Sequence, residues 1–228
     1  MRKSIIVLLA VVGLMTISPA IWAAGPPAPV ISLYDYGVNI DSVVTKPLAV
    51  PGLDLTTGLG VASFTVSGAG SHYVSLFVDH EIDEAINTYY NEYGSQSGSI
   101  STGLSWEIDE PGYTFGDLKT NFSLGALDGL NGVPSTTPDD VSMAIGWSFS
   151  LGVGETAKVT FNLSQTDPGG VFYLKQTDPD SSAPADIYFS SNLKIEGGGT
   201  SVPEPGTLLL VGSGLVGLVG LKAFRRRG

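Results

Sequence analysis

The chain has 228 residues, 43% of them apolar, with 22 acidic side chains against 11 basic ones and no cysteine. The missing thiol excludes disulfide staples, cysteine nucleophiles and thiolate-ligated metals, so stability has to come from packing. Between residues 24 and 201 five lysines face 21 carboxylates, a net charge of −16, and arginine is absent; so acidic a surface repels phosphate backbones and excludes nucleic acid as a partner.

The first 23 residues read as a secretory signal peptide. Arg2 and Lys3 form the positive start, Ile5 to Ile17 an apolar run, and Pro19 ends any helix ahead of a cleavage point after Ala23. Residues 24–196, about one domain in length, read as β. Alternating runs at Val61–Val66, Tyr73–Val78, Met143–Leu151 and Ala157–Leu163, with shorter ones at Val171–Leu174 and Ile187–Ile195, sit between glycine- and proline-rich turns. This spacing predicts a single all-β domain, a β-sandwich or jelly roll. The loop Gly152-Val153-Gly154 predicts a hairpin between the third and fourth runs. Residues 197–201, Gly-Gly-Gly-Thr-Ser, read as a flexible linker.

Polar chemistry concentrates in two stretches. In Phe77–Gly94, Asp79, Glu81 and Asp83 fall on one face if the strand continues, their carboxylates about 7 Å apart, and form a candidate calcium site. His80 would then face the other way with Ile82. A helical turn would instead pair Asp79 with Asp83 and His80 with Glu84. A solvated acidic edge that blocks strand-to-strand aggregation explains the same residues. In the second stretch, Trp106, Glu107, Asp109 and Glu110 are candidate sugar contacts, and paired carboxylates there raise glycoside hydrolysis as an alternative. Two histidines, His72 and His80, cannot build a three-histidine zinc site, and no HExxH, GxSxG or Walker A pattern occurs. The composition therefore predicts a non-enzymatic domain with no catalytic residues and no cofactor beyond the candidate calcium.

The last 27 residues are the most specific part of the chain. Pro203-Glu204-Pro205 precedes a single apolar stretch, Leu208 to Phe224, and then Arg225, Arg226 and Arg227. As a helix, that stretch rises roughly 25 Å, the short edge of a membrane span, and the arginines would hold its end in the cytoplasm. Two prolines keep the motif extended and remove two amide donors, so it cannot join a helix or sheet. This tail resembles the PEP-CTERM sorting signal, a tail also labelled an ice-binding protein C-terminal motif, although the threonines here show no fixed period. The resemblance implies that Pro203, Glu204 and Pro205 are read by an exosortase, a membrane-embedded cysteine transpeptidase, while the helix and Arg225–Arg227 act as a membrane stop. It further implies export across the inner membrane of a Gram-negative bacterium, transient anchoring there, and release to the cell surface or extracellular matrix among exopolysaccharide. On this reading the protein is structural or carbohydrate-binding in a biofilm matrix, with exopolysaccharide as partner. A secreted polysaccharide-active hydrolase and a calcium-dependent adhesin stay open as alternatives.

Overall fold

A computed structural model describes residues 28–85, 88–181 and 185–198. The signal peptide and the whole sorting tail, including Pro203, Glu204, Pro205 and Arg225–Arg227, lie outside the described residues. Among the described residues, no helix is long and apolar enough to cross a membrane.

Among the described residues, ten strands form two five-stranded antiparallel sheets. Sheet A runs in the order β2 (Val43–Thr45), β1 (Ile31–Ile40), β4 (Gly70–Ile82), β7 (Ser142–Leu151) and β6 (Leu104–Asp109). Sheet B runs β3 (Gly60–Ser67), β8 (Glu155–Ser164), β10 (Ala185–Gly197), β9 (Tyr173–Asp178) and β5 (Tyr93–Ser97). Alternation builds the core between them. Val74, Leu76, Val78, Met143, Ile145 and Trp147 of sheet A meet Val159, Phe161, Leu163, Leu174, Ile187 and Phe189 of sheet B, all buried. The all-β sandwich expected from the sequence is the architecture observed.

The predicted hairpin at Gly152–Gly154 is not formed. β7 pairs with β4 and β6, whereas β8 pairs with β10 and β3, so the two strands lie in opposite sheets. A hairpin would place both apolar faces on one side of a single sheet; the three-residue arch lets each face cover the other. Gly154 has φ 80° there, and the Glu155 carboxylate accepts the Gly152 N–H at 2.7 Å. At its far end β10 reaches Gly197, still paired with Glu155, one residue into the predicted linker. Gln176 lies inside β9 and is buried.

β4 and β7 are buried on both faces because a short helix, α1 (Leu118–Leu124), covers the outer side of sheet A. Leu118 and Phe122, four residues apart on one helical face, pack on Phe77 and Ala144. Gly125, at φ 67°, ends the helix in the left-handed conformation and donates its N–H to the Phe122 carbonyl. Seven residues are too few to register a 3.6-residue period, which is why this helix has no sequence signature.

One loop glycine is held by the core itself. Gly58 has φ 70°, and a Cβ there would lie 2.2 Å from Nε2 of the buried His80. Backbone strain and overlap act together, so Gly58→Ala should cost about 2–4 kcal/mol in urea unfolding. A loss below about 1 kcal/mol would mean that this loop does not seat on His80.

Candidate functional site

The outer face of sheet A carries a row of polar side chains across four strands. Asp35 on β1, Asp79 on β4, Ser142 on β7 and Asp109 on β6 are successive cross-strand partners. Like charges set opposite one another repel, so each carboxylate needs its own compensation. Asp35 has it. Lys46 and Lys119 reach its two oxygens at 2.5 and 2.7 Å, and the Tyr113 hydroxyl donates to it at 2.8 Å. Burial pushes Asp35 up, but these three hydrogen bonds and a fourth from the Tyr36 N–H at 2.9 Å outweigh it and hold the carboxyl at about 2. Asp109 accepts the Asp117 N–H at 3.0 Å.

Asp79 is different. It is 1% exposed, and Tyr113 donates a long hydrogen bond, 3.4 Å, to its Oδ2. Two residues on, Glu81 projects from the same face and is also buried. Asp140, two residues before Ser142 opens β7, completes a trio in which one oxygen from each residue lies within 4.8 Å of the others. Oδ1 of Asp79, Oε2 of Glu81 and Oδ1 of Asp140 have no hydrogen-bond partner among the described residues, and neither has the buried Ser142 hydroxyl. Burial, reinforced by neighbouring carboxylates, pushes Asp79 to about 8, Glu81 to about 7 and Asp140 to about 6.

Asp83, the third acid of the predicted face, does not join them. The chain leaves β4 at Ile82, and Asp83 takes φ 54°. Its carboxylate instead accepts the Val30 N–H at 2.6 Å and the Ser181 hydroxyl at 2.5 Å, tying strand entry to the loop after β9. His80 faces the core, as the strand reading implies, and burial lowers it to about 4, so its ring is neutral.

Above the trio opens a cleft of about 690 Å³. Glu81 and Asp140 form part of its floor, joined by Glu84, Glu110 and Asp139, and no basic side chain is among its lining residues. Tyr34, Tyr89, Tyr90, Tyr113 and Phe115 form its aromatic rim and are 43–68% exposed. A β-bulge places Tyr34 there. The β1–β4 register passes from Leu33 opposite His80 directly to Asp35 opposite Asp79, so Tyr34 has no partner and turns outward. Its ring meets Tyr113 edge to face at 6.1 Å, and Tyr89 meets Tyr90 in the same way at 5.3 Å.

Of the four candidate sugar contacts, the structure brings only Glu110 to this cleft. Trp106 points into the core against Phe172, because a period of two sets it on the face opposite Glu107. Glu107 is buried beneath α1, with Asn121 Nδ2 and the Asp128 N–H each donating to one of its oxygens at 3.1 Å. Burial raises it to about 7, but its role is to anchor the helix and the following loop. Asp117 and Asp128 lie near it, yet both Glu107 oxygens are already engaged.

Sequence reasoning missed Asp140, Tyr34 and Phe115. Asp139-Asp140 before a predicted strand was the visible signal for the first; nothing local marks the other two.

Fold and site together define an all-β sandwich with an acidic, aromatic-rimmed cleft on the outer side of one sheet. The PEP-CTERM protein-sorting motif matches residues 201–227. The chain thus carries the signal of an exported protein that an exosortase processes and sorts to the surface. No curated protein and no solved structure matches the chain.

Proposed function

We propose that the exported domain is a non-enzymatic, carbohydrate-binding component of the cell surface or extracellular matrix, and that a polysaccharide lies in the aromatic-rimmed cleft. The sorting tail would anchor it briefly in the inner membrane of a Gram-negative envelope before release into an exopolysaccharide matrix. The observation that carries this reading is the gathering of five exposed aromatic rings over carboxylates in one concavity. Clefts lined by aromatic side chains with a few convergent polar groups are the usual form of a ligand site. Flat rings stack on pyranose faces, and carboxylates accept hydrogen bonds from sugar hydroxyls. With five carboxylates and no basic group lining it, the cleft favours neutral or amino-sugar polymers over uronate polymers.

Affinity electrophoresis through gels containing a neutral glucan, an amino-sugar polymer or a uronate polymer tests this. Retardation should be strongest in the first two. Tyr90→Ala and Phe115→Ala, both at exposed positions, should each weaken binding by about tenfold without altering the fold. Equal migration of wild type and both variants in every gel would sink the proposal. Release of reducing ends by the wild type would replace it with the hydrolase alternative, whose first sequence candidate, Glu107, has both oxygens occupied.

A further inference from the structure

The trio beneath the cleft raises a separate question. Three carboxylates converge with no ion-paired lysine among the described residues: Lys46 and Lys119, which reach the neighbouring Asp35, are both committed to it. Asp79 and Glu81 are more than nine-tenths buried, yet each carries one oxygen with no hydrogen bond among the described residues. Buried acceptors are ordinarily satisfied, so oxygens left this way point to a ligand that is itself electron-poor.

We propose that Asp79, Glu81 and Asp140 form a calcium site at the floor of the cleft, with the Ser142 hydroxyl as a neutral fourth donor. Geometry supports one shared ion. Ca²⁺ binds oxygen at about 2.3–2.6 Å, so oxygens within 4.8 Å of one another can all touch a single ion. Donor chemistry selects the metal: hard carboxylate and hydroxyl oxygens, without histidine or thiol, suit Ca²⁺ and disfavour Zn²⁺ or Cu²⁺. Mg²⁺ demands a tighter octahedron near 2.1 Å and gives up its water reluctantly. Asp79 and Glu81 come from one strand and Asp140 from the loop entering its neighbour, so a bound ion would tie β4 to β7 at the cleft. Glu81 and Asp140 also line the cleft, which gives an ion between them access from solvent. The site does not depend on whether a sugar binds above it.

Isothermal titration of the purified, chelator-treated full-length chain with CaCl₂ tests the proposal. It should give saturable one-to-one binding in the affinity range of extracellular calcium modules, about 10⁻⁴–10⁻³ M, and a rise in melting temperature of about 3–8 °C at 5 mM. MgCl₂ should bind at least about tenfold more weakly. Asp140→Asn, at the half-buried member and so least disruptive to folding, should weaken Ca²⁺ binding at least about tenfold. Asp117→Asn, in the other acidic cluster, should leave it unchanged. A second readout needs no variant: Tb³⁺ should luminesce by transfer from Tyr113, whose hydroxyl contacts Asp79, and Ca²⁺ should quench it. Absence of saturable binding, or equal binding by wild type and Asp140→Asn with no Tb³⁺ signal, would overturn the site.

Discussion

Phe161→Ala should cost about 3–5 kcal/mol of unfolding free energy, the largest single-residue loss expected in the domain. Phe161 lies on the inner face of β8, fully buried, between Phe64 on β3 and Phe189 on β10, each 6.0 Å away between ring centres. Its cross-strand neighbour on β3 is Ala62, too small to fill the gap that truncation would leave. The cost therefore combines lost transfer energy with an unrelaxed cavity. No disulfide limits the unfolded chain, and whole domains are stable by only about 5–15 kcal/mol. A melting point lower by roughly 6–20 °C is the corresponding thermal effect for a domain of this size. Phe161→Leu, which retains most of the volume, should cost less than about 1.5 kcal/mol. Urea midpoints of the two variants check this. A loss below about 1 kcal/mol for the alanine variant would mean that the two sheets do not close on this ring.

Glu92→Gln should remove much of the loss of stability that the wild type suffers as pH rises. Glu92 sits between a short 3-10 turn, Tyr89–Asn91, and β5, with 1% of its surface exposed. Gln176 donates to its carboxyl and also, at 2.8 Å, to the His80 carbonyl, while the Ile82 N–H donates to it at 3.3 Å. Burial is the dominant influence and raises Glu92 to about 9, helped by Glu81 and Asp178, against the lowering effect of the Gln176 and Ile82 bonds. The folded state therefore holds this proton more tightly than the unfolded state does. Its contribution is fully present below the unfolded value of 4.5 and is lost as pH climbs toward 9. Three pH units within that window correspond to on the order of 2–4 kcal/mol.

Glutamine copies the shape of the protonated acid and does not titrate. Unfolding of both proteins in urea at pH 5, 7 and 8.5, with chelator present, should show a flatter slope for Glu92→Gln and curves that separate most at pH 8.5. Asp79, Glu81 and Asp140 push both proteins in the same direction, so the difference between them isolates Glu92. Parallel slopes would show that Glu92 is ionised in the folded protein.

These two side chains bracket what local pattern can and cannot reveal. Phe161 was legible in advance: Ala157 to Leu163 alternates, and alternation assigns one face of a strand to the core whatever its partners are. Glu92 was not, because nothing in Asn91-Glu92-Tyr93 distinguishes a solvated acid from one that the sandwich closes over. The same limit separates Trp106 from Glu107. Adjacent in sequence, they read as one sugar-facing patch, yet the period of two puts them on opposite faces. Only the position of the core says which of the two is buried against sheet B.

By itself the sequence determined the things that depend on neighbours in the chain: strand periodicity at β3, β4, β7, β8 and β10, the absence of thiol chemistry, the acidic surface, and the tail whose motif spans residues 201–227. Tertiary structure alone decided that β7 and β8 part into different sheets, that α1 seals the outer face of sheet A, and that Asp140 meets Asp79 and Glu81 while Asp83 turns away. The reason is physical. A two-residue period fixes the face of a strand but carries no information about its partner, and a site assembled across strands exists only once hydrogen-bond register and packing have chosen those partners.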